Sequence, residues 1–225
     1  MDLTIKEKLV LLAYHPDKGN CLVPTYIGHG LVGAILLELA GLEKIRVEDN
    51  RIKLMDSKKT GDEQLDYIIE LLSHSTKSYK VKSIIAKLQA KSSKIKKPLI
   101  AGLVKKRYLK REEKQFLFIK YNRYPAYNRT YRSNLIEHIR RLVLRNIKLD
   151  DDITMLAGLT GATRLSIKFF RNREERKTAR KRIKEIIKEN QVDQAINETV
   201  QAVQAAVLAS IATTAAISAA AASSH

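Results

Sequence analysis

The chain has 225 residues, with 42 Lys and Arg against 24 Asp and Glu, a formal net charge of +18 at pH 7. Such an excess favours a polyanionic partner: nucleic acid, an anionic membrane surface or an acidic protein. The single cysteine, Cys21, excludes an internal disulfide framework and a Cys-based zinc site and fits a reducing compartment. The first residues lack the basic start, apolar run and cleavage site of a signal peptide.

Taken in order, Thr4 and Glu7 form a capping box that opens a helix through Leu9–Ala13, and His15–Asn20 is a turn. Tyr26–Leu42 follows, apolar on every side from Leu31 onward, so it is read as a buried central helix. Ile45–Glu48 and Arg51–Leu54 alternate about Asp49-Asn50 as a β-hairpin, and Glu63–Ser73 is a helix. A basic helix then carries Val81, Ile84, Ile85 and Leu88 on one face. Ser92–Lys97 reads as a polar break before a helix over 98–108 that opens near Pro98. A second hairpin is expected over 109–119, turning at Glu113-Lys114, followed by a tyrosine-rich loop over Tyr121–Arg129. Leu135, Ile139, Leu142 and Val143 mark a further helix, and Ile153–Leu165 another. Lys168–Lys188 is densely basic, and Thr199–Ser224 carries no charge and is rich in Ala. Its strongly apolar residues are few, Val200, Val203, Val207, Leu208, Ile211 and Ile217, and Val200, Val203, Val207, Ile211, Thr214 and Ile217 lie three or four apart as one stripe. That pattern fits a helix packing on the body or on another chain better than a membrane span.

These elements give an all-α, mainly helical fold with two short β-hairpins and a buried central helix surrounded by amphipathic helices. Residues 1–190 form the helical domain, and 191–225 the Ala-rich C-terminal helix.

Three motifs bear on function. Gly28-x-Gly30-x-x-Gly33, with Glu48 twenty positions on, matches a dinucleotide fingerprint. The strand that should precede it contains Pro24, and no later βαβ pattern extends a parallel sheet, so the glycines read as aids to helix packing. Glu38, in the most apolar turn of the central helix, is read as a structural group answered by a buried donor. His15, His29, His74, His138 and His225 show no metal-ligand spacing, and no catalytic constellation, metal site or cofactor is expected. Helix 98–108 plus the following hairpin is also what a winged-helix nucleic-acid binder offers. Its cations would be Lys96, Lys97, Lys105, Lys106, Arg107, Lys110 and Arg111, but an apolar middle leaves few side chains to read bases. Arg129, Arg132, Arg140 and Arg141, near Tyr121, Tyr124, Tyr127 and Tyr131, form a basic cluster suited to phosphate groups.

Several stretches, in order, resemble the Golgi phosphoprotein 3-like family: Leu3–Leu12, Gly33–Ala40 with Lys44-Ile45-Arg46, Lys59–Asp62 with Leu65-Asp66, Leu103-Val104, Leu109–Glu112, Phe116–Phe118 and Tyr124-Pro125. The resemblance covers roughly residues 3–190 and implies a helical fold with a projecting hairpin. It also implies a cytoplasmic, non-enzymatic adaptor, peripheral on a membrane, that reads phosphatidylinositol 4-phosphate and holds cytoplasmic tails of membrane proteins. The family's headgroup pocket uses a Trp ahead of the central helix, an Arg within it and two basic residues on a later helix. Aligned here, those places hold Val23 (or Pro24), Val32, Asn134 and Glu137, so no lipid ligand is carried over. That departure and the Ala-rich end suggest a bacterial-type member whose partner is another anionic lipid or no lipid. Phe116 and Phe118 on the second hairpin are candidates for self-association as a homo-oligomer.

Overall fold

A computed structural model describes residues 2–75, 78–147, 150–189 and 194–222, with side chains for all of these but 187–189, 194–197 and 217–222. The expected division at 190/191, the place of Ile217 in its stripe and His225 lie outside that description. The fold is mainly helical with two antiparallel hairpins.

Helix α1 (Ile5–Ala13) begins with the expected capping box, both halves present. It packs on α2 (Ile27–Gly41), which is buried along almost its whole length. The first hairpin pairs β1 (Ile45–Glu48) with β2 (Arg51–Leu54) around Asp49-Asn50. Both turn residues have positive φ, 50° and 58°, as a two-residue hairpin turn demands and as Asp and Asn tolerate. Helix α3 (Glu63–Ser73) is capped by Asp62, and α4 (Val81–Gln89) buries the predicted Val81, Ile84, Ile85 and Leu88.

Two expectations are corrected in the next segment. Helix α5 runs from Ser92 to Lys105, through Pro98, so the polar break does not exist. Ile95 is buried, and its anchorage keeps the first turn helical despite the polarity around it. The second hairpin pairs β3 (Glu112–Phe116) with β4 (Ile119–Arg123), turning at Leu117-Phe118 rather than Glu113-Lys114. Neither strand has a buried residue, so no hydrophobic alternation fixes a register that sequence could reveal.

Helices α6 (Arg129–Arg145), α7 (Asp151–Ala162) and α8 (Arg173–Glu189) pack on one another, with a 3₁₀ turn at Leu165–Lys168 between the last two. Helix α9 (Gln194–Ala222) lies across α2, α4, α7 and β1. Glu198–Ala216 is long and apolar enough to cross a bilayer, yet Val200, Val203, Val207 and Ile211 are buried against the body. Thr199 Oγ1 accepts a hydrogen bond from the Val47 amide at 3.0 Å, tying α9 to the first hairpin.

The fingerprint glycines are contact points. A Cβ on Gly28 would stand 2.7 Å from Ser92 Oγ, on Gly30 2.6 Å from Thr163 Cγ2, and on Gly33 2.7 Å from Val207 Cγ2. Neighbouring helices fill the space a pyrophosphate would need, and the described residues contain no parallel sheet. Glu38 is answered by Lys6: Nζ lies 2.5 Å from Oε2, the Lys6 amide donates to Oε1 at 2.7 Å, and Asp62 Oδ2 stands 2.8 Å from the same ammonium. Burial pulls both groups toward neutrality. For Lys6 the two carboxylates outweigh it and hold the ammonium's pKa above its ordinary value; for Glu38 burial wins over Lys6 and raises the carboxyl.

Candidate membrane interface

The second hairpin projects from the body, with its strands packing on each other. Its tip is four consecutive apolar residues, Phe116, Leu117, Phe118 and Ile119, exposed to 68, 71, 96 and 70%. Folding alone gives no reason for them, since a soluble hairpin turn favours Asn, Asp or Gly. Leu117 moreover sits at φ 52°, a left-handed conformation that costs a bulky L-residue roughly 1–2 kcal/mol. The first hairpin, with the same loop length, uses Asp49-Asn50 there. The tip is thus an exposed apolar surface carried on a strained turn.

Cations flank this tip. Lys110, Arg111, Lys114, Lys120 and Arg123 lie on the hairpin against Glu112 and Glu113. Lys110 and Lys114 share Glu112 at 3.3 and 3.4 Å, and Lys120 meets Glu113 at 3.5 Å. All three lysines are more than half exposed, so these pairs restrain them weakly. At the hairpin's base a cleft of about 480 Å³ is lined by Lys106, Arg107, Tyr108, Tyr127, Arg129 and Thr130, together with Asn128, the cap of α6. Asn128 Oδ1 accepts from the Tyr131 amide, leaving the first amides of α6 beside the cations.

The structure disperses the predicted arginine cluster. Arg129 lines this cleft and pairs with exposed Asp17 at 2.7 Å. Arg132 is buried, donates to the Leu12 carbonyl at 3.2 Å, and has its pKa lowered to about 10 by desolvation. Arg140 forks onto both oxygens of Glu175 at 2.9 and 3.1 Å and donates to the Phe169 carbonyl, binding α6 to α8. Arg141 is half-buried farther along α6. Pairing partners distant in sequence therefore turn Arg132 and Arg140 into structural groups, and Arg129 alone reaches the hairpin base.

The four positions aligned to the family's headgroup pocket do not meet either. Val23 and Val32 are buried at α2, whereas Asn134 and Glu137 are exposed on α6, which packs on α1, α7 and α8. The later elements that abut the start of α2 are the end of α4 and the start of α5. Ser92 faces Gly28, and Lys96 stands close enough to Cys21 to oppose the rise that burial imposes on its thiol pKa. Lys96 lies on the part of α5 that reads in sequence as a polar break. Nearby, the Arg164 guanidinium stacks over Tyr26 at 5.5 Å.

The family model of Golgi phosphoprotein 3 (GPP34) matches residues 5–203, through every element from α1 into α9. The chain belongs to the Golgi phosphoprotein 3 family. It is also similar to a VPS74-like protein of Dictyostelium discoideum, with 31% identity over 136 residues, 52% of this chain and 51% of that protein. The chain thus spans about half the length of this curated relative. The central helix, the projecting hairpin and the helices between them all fall within the matched residues. No cluster of His, Cys, Asp or Glu able to hold a metal occurs among the described residues.

Proposed function

We propose that this family member is a non-enzymatic adaptor that sits peripherally on the cytoplasmic face of an anionic membrane. The reading rests on one observation: four exposed apolar side chains at a hairpin tip with cations on both flanks and at its base. Insertion of such a tip to the depth of the headgroups removes apolar area from water at about 1.5–3 kcal/mol per side chain fully buried. Each nearby cation adds about 1 kcal/mol on an anionic surface. Neither contribution alone gives durable attachment; a small apolar anchor and a basic patch together do.

The headgroup is assigned to the cleft at the hairpin base, with Arg107 and Arg129 donating to a phosphate and Lys106, already held by Glu7 at 2.7 Å, as a secondary charge. A second headgroup position is favoured by Lys96 at the start of α2, where the family resemblance puts its phosphatidylinositol 4-phosphate pocket. The apolar Val23 and Val32 that line that place leave it poorer in donors. By the same resemblance the protein partners are cytoplasmic tails of membrane proteins. Self-association through Phe116 and Phe118 is the competing use of the tip.

Co-sedimentation with vesicles tests this. Wild type should pellet with vesicles containing phosphatidylserine or phosphatidylinositol 4-phosphate and stay in solution with pure phosphatidylcholine. Phe118→Asp should abolish pelleting, and Arg107→Glu with Arg129→Glu should weaken it more than Lys96→Glu; the reverse order moves the headgroup to the start of α2. Equal pelleting on neutral and anionic vesicles refutes the reading. A Phe118→Asp variant that pellets normally but loses mass by light scattering assigns the tip to self-association instead.

A further inference from the structure

Helix α8 carries a second, separate basic surface. A cleft of about 740 Å³ runs along it, lined by Arg173, Arg176, Lys177, Arg180, Lys181 and Lys184, with Ile167 and Glu185 completing the wall. Arg173, Lys177, Arg180 and Lys184 recur every three or four residues, on one face of the helix. They are exposed and have no carboxylate partner among the described residues. The opposite face of α8 is fixed: Ala179, Ile183 and Ile186 are buried, with Ile183 against Gly161. Of the glutamates near the row, Glu175 is held by Arg140 and the Arg171 amide and Glu185 by Arg182 and by Lys181 in the cleft wall, while Glu174 is exposed.

Like charges three and four apart repel along a helix, and a helix selected only for stability would intersperse acids among them. The row is kept against that cost, and a bound polyanion would relieve it. Its shape narrows the class. The four cations span about 16 Å of helix axis, which an extended peptide covers with about five residues. The cleft is concave, so a flat bilayer would not fill it. Nor does it thrust a helix outward as duplex major-groove recognition requires. It also lacks the aromatic side chains on which single-stranded bases stack. Ile167 gives a strip of apolar floor, and the arginine forks match carboxylates two oxygens at a time.

Position separates this surface from the membrane interface. Arg140–Glu175 and Arg182–Asn146 hold α8 beside the C-terminal half of α6, while the hairpin joins α6 at its N-terminal end. The rise from Arg129 to Arg140 along α6 is about 16 Å. We infer that the α8 cleft is a docking groove for an extended acidic segment, rich in Asp and Glu, of a partner protein, on a surface that membrane attachment leaves free.

The test is fluorescence anisotropy of the full chain with a labelled Asp/Glu hexapeptide and its Asn/Gln counterpart. The acidic peptide should bind, weaken with salt, and lose at least tenfold in affinity to Lys177→Glu/Arg180→Glu/Lys184→Glu. A control triple, Lys18→Glu/Lys58→Glu/Lys82→Glu, makes the same change in net charge at other exposed lysines and should lose less than twofold. The glutamine triple at 177, 180 and 184 brings no new charge and should reproduce the loss; both triples should keep wild-type helicity and melting. Phe118→Asp should leave peptide binding intact, so failure of the membrane reading and failure of this one are distinct results. No binding of the acidic peptide, equal binding of the neutral one, or equal loss in the control triple overturns the inference. So does a triple that loses short duplex DNA or anionic vesicles while retaining the peptide.

Discussion

Replacing Leu117 with Asn should move two properties in opposite directions. Leu117 holds φ 52° in a turn between strands that have no buried residue. Asn tolerates that conformation, so most of the roughly 1–2 kcal/mol left-handed penalty is relieved. With its side chain 71% exposed, Leu117 gives up little packing in return. A net local gain of about 1 kcal/mol shifts the hairpin's opening equilibrium about fivefold. The hairpin buries none of its residues, so the gain belongs in its own amides rather than in the global melt. Hydrogen exchange over 112–123 should slow by about that factor.

Vesicle binding should fall at the same time. Losing one leucine from the inserted tip costs about 1.5 kcal/mol even at the low end of side-chain burial, roughly tenfold in affinity. The salt dependence should not change, since every cation of the hairpin and its base remains. A hairpin that gains protection while vesicle affinity holds would refute the argument that Leu117 is kept for contact with lipid. Loss of both would refute the argument from backbone strain.

Other perturbations test the body. Lys6→Met leaves Glu38 buried with no cation and should cost about 3–5 kcal/mol in urea unfolding, largely recovered by adding Glu38→Leu; an unaffected single variant would sink the buried-pair account. Gly33→Ala puts a Cβ 2.7 Å from Val207 and 3.0 Å from Leu159, an overpacking worth about 1–3 kcal/mol that Val207→Ala should partly relieve. Thermal protection of wild type by NAD would instead revive the fingerprint. His29 is buried, meets Thr214 Oγ1 at 3.2 Å through Nε2, has no partner for Nδ1 among the described residues, and burial lowers its pKa. Its neutral form is the stable one, so its contribution is present above the unfolded value near 6.5 and is lost as pH falls from there toward the folded pKa. His29→Phe should flatten the melting temperature over that acid shoulder, and an unchanged slope would show that another group titrates there.

Local signals survived folding wherever a buried face enforced them. The Thr4–Glu7 capping box, the limits of α3, the face of α4 and the Asp49-Asn50 turn were legible because periodicity and turn chemistry agree with the core. The second hairpin was displaced because none of its residues is buried and its turn breaks the rule by which turns are recognised. Helix α5 was cut short because Pro98 and a run of lysines outweighed one buried isoleucine. The arginine cluster failed for a different reason. Guanidinium groups close in sequence were claimed by Asp17, the Leu12 carbonyl and Glu175, partners that only tertiary structure supplies.

That redistribution bears on what the net charge means. Cations inside the body are spent on it: Lys6 on Glu38 and Asp62, Lys8 on Asp2 and Asp152, Lys44 on Asp56, Arg140 on Glu175. The excess left over is shared among α4 and α5, which carry no acid, the second hairpin and α8. The second hairpin carries it beside an apolar tip, and α8 carries it on a face opposite its anchored Ala179, Ile183 and Ile186. A uniformly basic protein would bind any polyanion everywhere, with one salt dependence. Two basic surfaces of different shape, one convex and apolar at its end and one a groove, should lose their ligands to different substitutions. Charge reversal at Arg107 and Arg129 should release vesicles and spare the acidic peptide, and reversal along α8 should do the opposite. If both substitutions weaken both ligands equally, the charge acts as a diffuse field and neither surface is a site.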